Sequence, residues 1–257
     1  TDAQISPKGR YVSFVREQNI YAIDLKTGKE TQLTKDGQGN IKNGMAEFVA
    51  QEEMARMTGY WWSPDDSRIA FTQFDESKVA EVLRNEIYAD EIKLYNQRYP
   101  YAGQHNVTIK LGVVSLQDPK VNWVDLGAEQ DIYLPRVQWS EQPNTLTYQW
   151  QTRNQQLLEL RAVDLSNNQQ RVLIRETSNT WVNLHDDLHF LDDGQHYIWA
   201  SERDGYKHLY LYDLKSTAVK QLTSGQWIVN DVNAIDEKNG FVYFTGRKDA
   251  PLEAHLY

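Results

Sequence analysis

The chain has 257 residues, a formal charge of -9 and no cysteine. That length is one or two domains; disulfides, thiolate metal sites and thiol nucleophiles are excluded, and the acidic balance is a poor match for nucleic acid. Hydrophobic residues make up 40%, ample for a core, yet no stretch approaches the roughly 20 apolar residues that cross a bilayer.

Tyr and Trp are abundant, at 15 and 8 against 7 Phe, and aromatic residues favour strands. The first element is a turn followed by a strand, Ile5-Ser-Pro-Lys-Gly-Arg-Tyr-Val-Ser-Phe14. A hairpin follows, Tyr21 to Leu25, a polar turn at Lys26 to Lys29, then Leu33-Thr34. Next, Gly44 to Met57 is rich in Ala, Met, Glu and Gln, which predicts a short helix. Its adjacent Glu52 and Glu53 point about 100° apart on such a helix. The pair either converges on a cation or belongs to a solvated helical turn.

The turn and strand return as Trp62-Ser-Pro-Asp-Asp-Ser-Arg-Ile-Ala-Phe71. An inserted excursion, Glu76 to Gly103, breaks the pattern. Val79, Val82, Leu83 and Ile87 fit a helical face; the alternative is a strand through Val79 to Leu83. A degraded hairpin follows at Val113 to Leu116 and Val124. The third turn and strand is Trp139 to Tyr148, with its hairpin at Arg161 to Leu165 and Leu173. The fourth is Leu191 to Ala200, with its hairpin at Tyr210 to Leu214 and Leu222. Asp236 to Phe244 is a fifth turn and strand.

Leu25/Leu33, Leu116/Val124, Leu165/Leu173 and Leu214/Leu222 share one spacing. Loop length sets hairpin register, so a repeated hairpin produces such a spacing. Four antiparallel strands recurring at roughly 40 to 50 residues form the blade of a β-propeller. The expected fold is all-β, a partial propeller of about four to five blades, with a short helix carrying two Glu.

The common catalytic motifs are absent: no Gly-x-Ser-x-Gly elbow, Walker loop, dinucleotide fingerprint or His-Glu-x-x-His. His185-Asp-Asp-Leu-His189 could clip a metal if helical. Asn183 and the following Asp192-Asp193-Gly194 point instead to a turn. No metal or cofactor is expected.

The run Glu52-Glu53, then Tyr60-Trp61-Trp62-Ser63-Pro64, then Ala70 to Val79 resembles the dipeptidyl peptidase IV branch of the prolyl oligopeptidase family. So do Tyr99-Pro100-Tyr-Ala-Gly103, Asn106 to Lys110, Gly205-Tyr206-Lys-His208 and Leu222 to Trp227. The resemblance implies a stretch of an eight-bladed propeller that caps an α/β-hydrolase domain. By that comparison residues 1–257 belong to the N-terminal propeller domain. The hydrolase domain and its Ser, Asp and His lie beyond Tyr257, and a substrate-contacting arginine lies before Thr1. The segment alone is then inactive.

The resemblance further implies that Glu52 and Glu53 hold the free amino terminus of peptides with Pro or Ala at the second position. The parent would be a serine exopeptidase that releases dipeptides. Its partners would be those peptides, its own hydrolase domain and, in a homodimer, a second copy. The lack of cysteine points to a bacterial relative, periplasmic or secreted. Two other readings stand beside this one. The first is a stand-alone propeller that binds a protein or peptide. The second is a propeller glycosidase, which needs acids from separate blades. Adjacent Glu52 and Glu53 do not suit the latter.

Overall fold

The computed structural model describes residues 1–140, 144–216 and 219–257. The chain folds as a succession of antiparallel sheets, with one short helix among the described residues. The first sheet takes β1 (Gln4–Ile5), β2 (Tyr11–Arg16), β3 (Asn19–Asp24) and β4 (Glu30–Gln32) in simple order. The second begins with β5 (Ile41–Asn43), then helix α1 (Phe48–Glu53), then β6 (Tyr60–Trp62) and β7 (Arg68–Asp75). A separate hairpin, β8 (Glu81–Ile87) and β9 (Ile92–Arg98), leaves the sheet before β10 (Thr108–Ser115) and β11 (Val121–Trp123) complete it. The third sheet holds β12 (Ile132–Tyr133), β13 (Val137–Trp139), β14 (Thr145–Thr152), β15 (Leu157–Asp164) and β16 (Gln169–Thr177). The fourth holds β17 (Leu188–Phe190), β18 (His196–Ser201), β19 (His208–Asp213) and β20 (Val219–Gln221). The last has three strands, β21 (Val229–Asp236), β22 (Phe241–Ala250) and β23 (Glu253–Leu256).

These sheets are the expected blades. All five turn-and-strand units and all four hairpins fall where the repeats place them. The third turn includes Glu141, Gln142 and Pro143, which lie outside the described residues.

Side chains alternate between the faces of a strand. In β7, Ile69 and Phe71 enter the cluster shared with Val15 and Ile20 of the first blade. Ala70 and Phe74 enter the cluster shared with Trp139 and Tyr148 of the third. In β18, Tyr197 and Trp199 meet Leu158 and Leu160 of the third blade. Ile198 and Ala200 meet Val229 of the last. Each middle strand is thus covered on both faces. That is why it reads as a near-continuous apolar run rather than an alternating one.

The excursion is a strand hairpin, so its helical alternative is overturned. Glu81 pairs with Arg98 and Ile87 with Ile92, antiparallel throughout. β-branched Val82, Ile87 and Ile92 and the aromatic Tyr95 suit extended backbone. Leu83, Ile87, Ile92 and Leu94 are exposed along it.

The inner strand of the second blade is split. β5 pairs with Gln73 to Asp75 of β7, and β6 pairs with Ile69 to Phe71. The fully buried Thr72 sits opposite the gap. Its carbonyl accepts from the Gly44 amide at 2.9 Å, and its amide donates to the Gly59 carbonyl at 2.8 Å. Its hydroxyl reaches the Met45 and Gly59 carbonyls, each at 3.2 Å. The chain between, with α1 at its centre, therefore leaves and returns at one residue. Only glycine fits at the return, because a Cβ on Gly59 would stand 2.3 Å from the Met45 carbonyl carbon. Gly59→Ala is expected to cost ~2–4 kcal/mol of unfolding free energy through this backbone clash. Chemical denaturation checks it, and an unchanged midpoint would show that the neck can widen.

Candidate functional site

Helix α1 is a single short turn and a half, too short to persist by its own hydrogen bonds. Its N-cap residue is Glu47, whose side chain makes no cap bond, and its last turn carries no basic residue. What holds it is the surroundings. Glu47 is buried and pairs with buried Arg56 at 2.7 Å. Arg56 also donates to the Thr58 carbonyl at 2.9 Å, and its amide donates to the Ala50 carbonyl at 2.9 Å. The ion pair thus ties the residue before the helix to the chain after it. Ala55, between them, has φ of 52°, the left-handed conformation that turns a chain off a helix end. Ala50 and Met54 are the buried side.

The opposite side carries Gln51, Glu52 and Glu53, all exposed. Gln51 turns back to the Ala46 carbonyl at 2.6 Å. Neither Glu52 nor Glu53 forms a hydrogen bond or ion pair with any described residue. Two unpaired carboxylates therefore occupy consecutive positions on a helix that is fixed from below. Of the two readings, a solvated turn and a cation site, the structure shows the geometry common to both: exposure and free acceptors.

Neighbouring elements frame the helix. Phe48 meets Tyr99 edge-on, with ring centroids 4.9 Å apart, and Tyr99 meets Tyr101 at 4.8 Å. Tyr133 lies on the third blade's inner strand. Burial is the main force that raises its phenol pKa, with the charges of Glu47 and Glu53 adding to it. Arg136 follows, in a gap between β12 and β13. Its guanidinium donates to the Met54 carbonyl at 2.7 Å and pairs with Asp186. A cleft of about 190 Å³ lies here, lined by Ala55, Arg56, Trp61, Arg136 and Asp186 among others.

The His185 to His189 run does not form a helix. Residues 181–187 are irregular, and β17 begins at Leu188. No group of three or more His, Asp or Glu among the described residues could hold a metal. Asp187 instead ties two blades: Lys207 reaches it at 2.6 Å and the Val232 amide at 2.9 Å. Burial would raise its pKa, but the His189 ring 3.9 Å away, the Lys207 ammonium and the Val232 amide outweigh that and hold it well below the carboxylate range. His208 is fully buried and bonds Thr223 at 3.0 Å and the Gly225 carbonyl at 2.9 Å.

The chain matches the family described as the dipeptidyl peptidase IV (DPP IV) N-terminal region, over residues 1–257. It belongs to that family. The chain is 30% identical to the dipeptidyl peptidase 4 of Porphyromonas gingivalis, whose crystal structure superposes with a TM-score of 0.92. That alignment covers 99% of this chain and 37% of the other. Dipeptidyl aminopeptidase A of Saccharomyces cerevisiae is 27% identical over 99% of this chain and 29% of its own length. A probable dipeptidyl-aminopeptidase B of Emericella nidulans is 30% identical over 98% and 31% respectively. The chain thus spans about a third of the length of these relatives. A putative dipeptidyl aminopeptidase IV of Bacteroides ovatus, at 24% identity and a TM-score of 0.85, shares the fold.

In this DPP IV N-terminal region, sequence reasoning singled out Glu52 and Glu53 but missed their supports. Glu47 and Arg56 straddle the helix nine positions apart; an acid and a base flanking a helix just too short to cap itself is the signal that was available. Arg136 and Asp186 are 50 positions apart and gave none. Arg56→Met should leave Glu47 buried and uncompensated, with a loss of about 3–5 kcal/mol. Adding Glu47→Leu should recover much of it. Equal loss in the single and the double variant would show that the pair is not the support.

His185 supplies a pH prediction. Its ring lies edge-on to Trp199, with centroids 4.4 Å apart, and burial together with the Lys207 charge pushes its pKa down to about 4. An unfolded histidine titrates near 6.5. Between those values the unfolded chain binds more protons than the folded one, so stability falls as pH drops through the window. The loss is about 2 kcal/mol after discounting for the ring's partial exposure. His185→Gln should flatten the pH slope of the melting temperature; an identical slope would assign it to other groups.

Proposed function

We propose that this chain is the substrate-selecting propeller region of a serine exopeptidase. The whole enzyme releases N-terminal dipeptides with Pro or Ala second, and Glu52 and Glu53 bind the substrate's free amino terminus. The observation that carries the reading is the pair of exposed, unpaired carboxylates on a firmly held helix, within a chain of the DPP IV N-terminal family.

The chemistry is direct. A peptide α-amino group titrates near 7.7 to 8.0, so it is mostly cationic at neutral pH. An ammonium has three donors and no acceptor. Two carboxylates take those donors as charge-assisted bonds, worth about 1.5–3 kcal/mol each. Fixing the amine sets a length, since two extended residues span about 7 Å. A nucleophile at that distance cuts after the second residue. An acylated amine has no charge to bind, so blocked peptides are rejected.

In this reading residues 1–257 are all propeller, and the nucleophile comes from an α/β-hydrolase domain in the rest of the protein. The region by itself then hydrolyses nothing. The full protein pairs with a second copy, in keeping with the exposed Leu83, Ile87, Ile92 and Leu94 on the β8–β9 hairpin. The lack of cysteine and the likeness to the Porphyromonas gingivalis enzyme support a bacterial protein, periplasmic or secreted.

The test is made in the full-length protein with a chromogenic Xaa-Pro substrate. Glu53→Ala and Glu52→Ala should each lower kcat/KM roughly 10- to 100-fold, the size of one charge-assisted bond. N-acetylated substrate should be turned over no faster by the variants than by the parent. Unchanged turnover in folded variants would reject the amine anchor.

A further inference from the structure

Two carboxylates at the end of α1 are badly placed for the helix itself. The C-terminal end of a helix carries partial negative charge, and its last carbonyls lack partners. Glu52 and Glu53 add two negative charges there, and the helix offers no basic residue in its last turn. Arg56 is committed to Glu47 and the Thr58 carbonyl. The cation that meets this end comes from another blade. Arg136 projects from the gap between β12 and β13 and donates to the Met54 carbonyl at 2.7 Å.

Arg136 is itself held on three sides. Its backbone carbonyl accepts from the Gln149 amide at 2.8 Å, and its Nη1 also reaches the Pro135 carbonyl at 2.9 Å. Its Nε pairs with Asp186, in the loop before β17. Most of the Asp186 side chain is exposed, at 80%, whereas Arg136 is 20% exposed. The guanidinium fork suits this arrangement, because it binds two acceptors in one plane where an ammonium cannot. The second, third and fourth blades therefore meet at one side chain.

We infer that Arg136 is a positioning residue for the Glu52–Glu53 pair, oriented by Asp186. It caps the helix end that carries both acids and offsets their charge, so that their direction is fixed before a ligand arrives. Pre-fixed acceptors bind without the cost of ordering them. Movement of the Asp186 loop would then reach the acids through one guanidinium. This inference rests on the amine-anchor reading.

The experiment uses the full-length protein, the same Xaa-Pro substrate and steady-state kinetics. Arg136→Met should raise KM about fivefold, the size of a cation at a helix terminus, with kcat within about twofold. Arg136→Lys, which keeps the charge but loses the planar fork, should recover part of that. Asp186→Asn, at an exposed site that should fold normally, should raise KM by a smaller factor. Adding Arg136→Met to Glu53→Ala should do little beyond Glu53→Ala alone, since the positioned group is already gone. Normal KM in Arg136→Met and Asp186→Asn, beside a raised KM in Glu53→Ala, overturns the positioning role and leaves the anchor standing. Additive effects in the double variant also overturn it. Normal KM in Glu52→Ala and Glu53→Ala sinks the anchor and this inference together.

Discussion

Thr72 is bonded on both sides of a break in its partner strand. Its carbonyl, amide and hydroxyl are all used there, on Gly44, Met45 and Gly59. A strand in the middle of a blade cannot leave these groups unpaired, because a buried polar backbone group without a partner costs as much as a lost hydrogen bond. The break is tolerated because the chain returns to the residue it left. That closure gives the second blade a projecting helix without loss of its sheet. Everything at the candidate site hangs from it.

Above the neck, the helix depends on charges rather than on its own length. Glu47 and Arg56 form a buried pair that fixes both flanks of α1. Such a pair contributes little net stability against an apolar replacement, yet breaking one partner is costly. Its effect here is geometric: it locks the path of the chain, and so the direction of the two acids above. Arg136 and Asp186 extend the same logic across the next two blades. The acids are free because the cations nearby are already satisfied by other groups.

Between blades, the fixtures are of two kinds. Apolar clusters fill each interface, with successive residues of β7 and β18 serving opposite neighbours. Polar ties then set the blades' relative position. Ser6 meets Asp66 at 2.6 Å across the first interface, and the Val232 amide donates to Asp187 at 2.9 Å across the last. The apolar contacts are non-directional, so they supply the attraction. The hydrogen bonds are directional and fix the register between blades.

The sequence by itself determined the blades. Turn residues at fixed places, apolar runs after them and one hairpin spacing repeated along the chain are local signals, and strand pairing between neighbours in sequence obeys them. It also marked the short helix, through composition, and the two adjacent acids on it. It left the Val79 to Ile87 stretch open, because apolar residues every third or fourth place fit a helical face while the β-branched Val79 and Val82 favour a strand. Tertiary structure decided that point, since backbone pairing with β9 outweighed a helical face that had nothing to pack against. It alone decided where the helix stands, because a strand broken opposite Thr72 depends on contacts nearly thirty residues apart. It alone brought Arg136 and Asp186 to the helix end. A charge on a distant blade leaves no periodicity and no local composition to read; only the packing of one blade on the next brings it within reach.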